Sequence, residues 1–138
     1  MAFNDLEISA YMSPLTVSIG VDQCLKTAST KMQEHKIRHL PVLEGGRLMG
    51  VISERDVNWL ASLGTDPSTV TVSEAMSDIP YVVHAKTKAA EVVAKMHDDK
   101  LGSALIERDG KPVGIFTTTD ALQLCSDLLA GRVGAAAS

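Results

Sequence analysis

Apolar residues recur along this chain first at helical spacing and then in short runs, and the order of those runs is written twice. Leu25, Ala28, Ser29 and Met32 stand three or four apart, the spacing of one helix face, and the pattern runs to about His35 with Asp22 available as its cap. HLPVLE and RLMGVIS flank Gly45-Gly46, so residues 39–53 read as two buried strands joined in a hairpin. A second helix follows from Ser53 and carries Val57, Leu60 and Ala61. After LGTDPSTVTVSEAM, which is rich in turn residues and then briefly helical, the order returns. Tyr81 to Val83 predicts a short strand, Thr87 opens a helix carrying Ala90, Val93 and Met96, SALIERDGKPVGIFT turns through Asp109-Gly110, and a last helix begins at Thr117.

Shifting the sequence by 64 positions makes the recurrence explicit without a gap. Met12 and Ser13 meet Met76 and Ser77; Lys31, Met32 and Lys36 meet Lys95, Met96 and Lys100; Gly46, Gly50 and Asp56 meet Gly110, Gly114 and Asp120. Ile8-Ser9 falls on Val72-Ser73. Each copy therefore predicts one β-α-β-β-α unit. Such a unit has a small sheet covered on one face and buries too little alone, so two copies are expected to pack with pseudo-twofold symmetry as an α/β (α+β) protein. The expected boundaries are 8–65 and 72–130 for the repeats, 66–71 for the linker, and 131–138 for a disordered small-residue tail.

The most specific recurrence is GVISERD at 50–56 and GIFTTTD at 114–120. Two readings fit it. Ser53 and Thr117, each three residues before an Asp at a strand-to-helix junction, form a capping box with Asp in the place of the usual Glu or Gln. The same free amides, approached past a glycine, suit a phosphate, and an Asp one turn in can accept two hydrogen bonds from a ribose diol. Duplication copies caps as faithfully as binding sites, so the repeat alone does not choose between them.

Composition narrows the classes. Hydrophobic residues make up 45% and charged residues 22% of 138, as in soluble globular proteins. No apolar run approaches the roughly 20 residues that span a bilayer, and the start lacks a secretory pattern, so a cytoplasmic protein without membrane association is expected. A net charge of −4 and an aromatic content of 4% disfavour nucleic acid. Cys24 and Cys125 read as reduced, packed thiols, and His35 and His39 lack a third ligand, so no metal site is expected. No nucleophile with a base, no catalytic carboxylate pair and no phosphate-loop glycine pattern is assembled, so the expectation is binding without catalysis.

IRHLPVLEGGRLMGVISERDV and LGSALIERDGKPVGIFTTTDA together resemble the CBS domain, and their tandem arrangement resembles a CBS pair, or Bateman module, from about Ile8 to Leu129. The resemblance implies a regulatory sensor with an adenosyl ligand in the cleft between repeats: AMP, ADP or ATP first, S-adenosylmethionine or NAD second, and no required cofactor. Carried over by position, Asp56 and Asp120 would hold ribose hydroxyls, and Ser53 and Thr117 would contact ribose or phosphate. Ile37, Val51, Leu101 and Ile115 would flank adenine, Arg38 and His39 would reach phosphate, and Thr16 would stand near the adenine edge. Arg55 is a further phosphate candidate. The second copy has Gly102-Ser103 and Thr119 at the three basic positions, so unequal sites are expected. Apolar residues over a wide arc of the last helix (Ala121, Leu122, Leu124, Cys125, Leu128, Leu129) and on its first-copy counterpart (Val57, Trp59, Leu60, Leu63) predict a homodimer. Without an attached effector segment, the module is expected to act in trans on a protein target. The other reading is an interaction module that binds no ligand.

Overall fold

A computed structural model describes residues 5–78 and 81–132. They form two compact units, one from residues 15–78 and the other from residues 5–14 together with 81–132. The elements in chain order are β1 (Ser13–Pro14), β2 (Ile19–Gly20), α1 (Leu25–His35), β3 (His39–Glu44), β4 (Arg47–Ser53), α2 (Glu54–Ser62), α3 (Val72–Ala75), β5 (Val82–His84), α4 (Ala89–Asp98), β6 (Ser103–Arg108), β7 (Lys111–Thr117) and α5 (Thr118–Leu129). A short 3-10 turn, Ile8–Ala10, precedes β1. The mixed α/β class and both hairpins follow the expectation.

In the unit of residues 15–78, β2 pairs in parallel with β3, and β3 pairs antiparallel with β4 with a register shift after Val42. The core gathers Leu25, Ala28 and Met32 from α1, Leu40, Val42 and Ile52 from the hairpin, Val57 from α2 and Val72 from α3. Leu40, Pro41 and Val42 are buried in succession along β3, whereas burial alternates along β4 through Gly50 and Ile52. The cap of α1 differs from expectation: Cys24, not Asp22, occupies the N-cap, and no side chain caps this helix. Ala61, expected on the buried face of α2, is exposed.

In the other unit the strand order is β1-β7-β6-β5. The core holds Ile8, Val83, Ala85, Ala89, Val92, Met96, Ala104, Ile106, Phe116 and Leu124. Strand β5 begins one residue later than the apolar run predicts, and α4 starts at Ala89 after Lys88 rather than at Thr87. Its buried residues are Ala89, Val92 and Met96, while Ala90 is exposed. The i, i+3, i+7 spacing keeps one stripe on a 3.6-residue turn, whereas i, i+3, i+6 drifts off it. The same stripe, 64 residues earlier, is Leu25, Ala28 and Met32.

Each unit takes the opening segment of the other repeat. Ile8 and Ser9 donate backbone N–H bonds to the carbonyls of Thr87 and Ala85, and Leu6 accepts from Ala89. At positions 64 later, Val72 and Ser73 donate to Gln23 and Val21, and Val70 accepts from Leu25. Ser13 of β1 pairs with Ile115, as Ser77 exchanges backbone hydrogen bonds with Val51 (2.9 and 3.0 Å). β1 thus forms an edge strand of the sheet of the second repeat, and Ser77 makes the equivalent isolated bridge to β4 of the first.

Cys125, expected to pack, is exposed, and Cys24 is half-buried; both are free thiols. Arg132 ion-pairs with Asp127 at 2.8 Å. The rest of the expected tail, 133–138, lies outside the described residues. Among the described residues, no helix is long and apolar enough to cross a membrane, and no group of three or more His, Cys, Asp and Glu is placed to hold a metal ion.

Candidate functional site

The repeated heptapeptides build the same junction in both units. Ser53 is the N-cap of α2: its Oγ accepts from the Asp56 N–H at 3.0 Å, and its own N–H donates to Asp56 Oδ2 at 2.9 Å. Thr117 is the N-cap of α5 and donates its N–H to Asp120 Oδ2 at 2.9 Å, while the Asp120 N–H reaches back to Thr117 Oγ1 at 3.4 Å. Both are complete capping boxes. The short Asp side chain closes the box because the N-cap residue is extended, with φ near −110° in both. The cap reading of the motif is therefore realised in full. It leaves open what else the carboxylates do, because a capping carboxylate uses one oxygen.

The glycines that open the motifs are sites of close approach. A Cβ on Gly50 would lie 2.5 Å from the Ser77 carbonyl oxygen and 2.9 Å from Met76 Sδ. A Cβ on Gly114 would collide with Met12 Sδ and lie 3.0 Å from the Ser13 carbonyl oxygen. Each glycine thus admits a Met-Ser pair against the strand that leads to the cap.

Around Asp56 the structure assembles several of the predicted residues. His39 pairs with Ser53 across the hairpin, and the Arg38 carbonyl accepts from the Glu54 N–H at 2.8 Å, so residues 37–39 run beside the first turn of α2. Arg38 and Arg55 are exposed, His39 and Val51 half-buried, and Ile37 packs against the core. Among the described residues Arg38 makes no ion pair, with Glu34 or any other acid. Thr16 is exposed and lies in the same unit. A cleft of about 250 Å³ opens beside the motif, lined by Arg55, Asp56, Trp59, Leu60, Glu74 and Ala75.

Around Asp120 the backbone is equivalent and the chemistry is not. The Thr118 N–H bonds to the Gly102 carbonyl at 3.3 Å, and Ser103 pairs with Thr117. Leu101 packs half-buried against the core and Ile115 is buried at 2% exposure. The positions of Arg38, His39 and Arg55 hold Gly102, Ser103 and Thr119, which carry no charge. Sequence reasoning missed one member of this junction: Ser13 Oγ donates to Asp120 Oδ1 at 2.9 Å. The alignment of Ser13 with Ser77 marked the position, but nothing in the repeat says which sheet each serine joins. No such bond joins Ser77 to Asp56.

A second polar cluster, also unread in the sequence, lies further along α5. Asp127 accepts from the Tyr11 hydroxyl at 2.7 Å, from Gln123 Nε2 at 3.0 Å and from Arg132 Nη2 at 2.8 Å. The tyrosine bond, with those from Arg132 and Gln123, holds the Asp127 carboxyl below its usual range. The same bond and partial burial push the Tyr11 phenol up.

Comparison with known proteins agrees with this geometry. The CBS domain family matches twice, over residues 8–59 and 72–127. The chain belongs to the CBS domain family, as a tandem pair. It is similar to arabinose 5-phosphate isomerase KdsD of Pseudomonas aeruginosa, 31% identical over 81 residues that make up 58% of this chain and 25% of the enzyme. The chain spans about a fifth to a third of the length of the curated relatives it matches, with shares of 25%, 21% and 34%. Among solved structures, the CBS domain of a CBS-domain-containing membrane protein from Sphaerobacter thermophilus superposes with a TM-score of 0.76 at 23% identity, covering 88% of this chain and 89% of that one. A CBS domain pair in complex with 5′-methylthioadenosine and S-adenosyl-L-methionine superposes with a TM-score of 0.72 at 21% identity, covering 87% and 95%. At these identities the likeness concerns the fold.

Proposed function

We propose that this CBS pair is a regulatory binding module whose strand-to-helix junctions at Ser53–Asp56 and Thr117–Asp120 take the ribose of an adenosyl ligand, AMP, ADP or ATP before S-adenosylmethionine or NAD. The observation that carries this reading is the convergence at Asp56. The carboxylate keeps one oxygen outside its cap, lines a cleft, and follows directly on Arg55. Arg38 and His39 run beside the same helix turn. A carboxylate with a spare oxygen beside cationic side chains matches a group that presents a diol at one end and phosphate at the other. The adenosyl ligands of a similar CBS pair support this class of ligand. Occupancy would shift the balance between conformations of the module, or its affinity for a protein target, without chemistry on the ligand. Calorimetric titration of AMP, ADP, ATP and S-adenosylmethionine into the protein and into Asp56→Asn tests it: saturable binding lost in the variant is expected, and no binding by any of the four overturns it.

A second reading, compatible with the first, rests on the outer helices. Trp59 and Leu63 at α2 and Leu122 and Leu129 on α5 are each more than 60% exposed. Apolar faces of that extent favour burial against another surface, and a homodimer through these helices is the partner they suit.

A further inference from the structure

The two aspartates of the repeat differ in how much of their hydrogen-bonding capacity the protein itself consumes. An ionised carboxylate has about four acceptor positions. Asp56 uses one, for the Ser53 N–H. Asp120 uses three: Oδ2 accepts from the Thr117 N–H and the Thr117 hydroxyl at 2.9 and 3.1 Å, and Oδ1 accepts from Ser13 Oγ at 2.9 Å. A vicinal diol that donates both hydroxyl protons needs two positions. Asp56 offers about three and Asp120 about one. The Ser13 bond is the only one of the three that comes from outside the cap, from a strand laid against β7.

We infer that Ser13 is an internal competitor for the diol at Asp120, so that the Asp56 junction binds first and the Asp120 junction accepts a ribose only when Ser13 turns its hydroxyl away. This rests on the adenosyl reading and adds to it an order of occupancy and the residue that sets it. The competition is set by the fold and not by the ligand. Ser13 is exposed, so its hydroxyl has water as an alternative partner and can leave at small cost, whereas the Thr117 bonds belong to the helix start and stay. The charge distribution acts in the same direction, since Arg38 and Arg55 stand in the unit of Asp56 while the equivalent positions near Asp120 are Gly102 and Thr119.

The test is titration of AMP and of S-adenosylmethionine into Asp56→Asn and into Ser13→Ala/Asp56→Asn, in which only the Asp120 junction is left. Removing the competing bond is expected to tighten the remaining site about fivefold, the worth of one net hydrogen bond. A 2′,3′-dideoxy analogue of AMP, which has no diol, is expected to bind both variants equally. Equal affinity of the diol ligands for the two variants, or the same tightening for the dideoxy analogue, overturns the role of Ser13 while leaving the adenosyl reading intact. Failure of both ligands to bind even the parent protein overturns that reading and the role of Ser13 together.

Discussion

Gly50 and Ser77 are so close that a methyl group on the glycine would lie 2.5 Å from the serine carbonyl oxygen. The contact holds the opening segment of the second repeat against the strand that ends in Ser53, and the bonds between Val51 and Ser77 secure it. Gly50→Ala is therefore expected to cost about 1 to 3 kcal/mol, because the nearest atom is backbone and cannot step aside. Gly114→Ala meets first the flexible thioether of Met12, and its cost is expected to be smaller. Chemical denaturation of the two variants checks the order; an equal or reversed ranking contradicts the geometry.

The caps predict a separation of stability from binding. Ser53→Ala and Thr117→Ala each remove a side chain that accepts from the third residue of its helix, and each is expected to lose about 1 kcal/mol of stability. Asp56→Asn keeps an oxygen for the Ser53 N–H and loses the charge, so it is expected to unfold close to the parent while binding adenosyl ligand much more weakly. Thermal unfolding without ligand, followed by titration, tells the two effects apart. A large loss of stability in Asp56→Asn with unchanged ligand affinity would return the aspartate to a purely structural role.

The cluster at the end of α5 predicts a pH dependence. Asp127 is held low in the folded protein by Tyr11, Arg132 and Gln123, so its contribution is present above the ordinary carboxylate range near pH 4 and is lost as pH falls through the depressed folded value. Tyr11 is pushed up, so its contribution is present below its ordinary range near pH 10 and is lost as pH rises beyond it. Asp127→Asn is expected to flatten the acid limb of a plot of melting temperature against pH, and Tyr11→Phe the alkaline limb. Asp66, held low by Ser68, adds its own acid dependence to every variant, so the comparison is between limbs of parent and variant. Limbs that coincide in the variants would mean the cluster carries no net stability.

Most of the architecture was legible because it repeats. The turns at Gly45-Gly46 and Asp109-Gly110 fixed both hairpins, and a hydroxyl three residues before an Asp fixed the starts of α2 and α5. Of the four longer helices, the two without side-chain caps differ from the expected starts: α1 begins after Cys24 and α4 after Lys88. On α4 the doubled Ala89-Ala90 and Val92-Val93 leave two registers open in the sequence, and the structure buries the first of each pair together with Met96. The exchange of segments between repeats was not legible, because shifting a sequence against itself shows that Met12-Ser13 equals Met76-Ser77 and not which sheet each joins. The Ser13 bond to Asp120 depends on that exchange, and so does the unequal state of the two carboxylates.

The exposed apolar side chains on α2 and α5 predict self-association. Trp59→Glu and Leu122→Glu place a charge where a homodimer would bury apolar surface, and each is expected to yield a monomer in sedimentation experiments with melting of the monomer little changed. A parent protein that is monomeric at micromolar concentration would remove the homodimer and leave those faces to a different partner.

The measurement closest to the central claim is thermal unfolding of the parent protein against AMP, ADP, ATP and S-adenosylmethionine, with Asp56→Asn beside it. A ligand at a hundred times its dissociation constant stabilises the folded state by about 2.7 kcal/mol. The expected result is a rise in melting temperature with one or more of these ligands that disappears in Asp56→Asn. An unmoved transition with all four would contradict a ligand role for the repeated heptapeptides and leave them as a duplicated pair of helix caps.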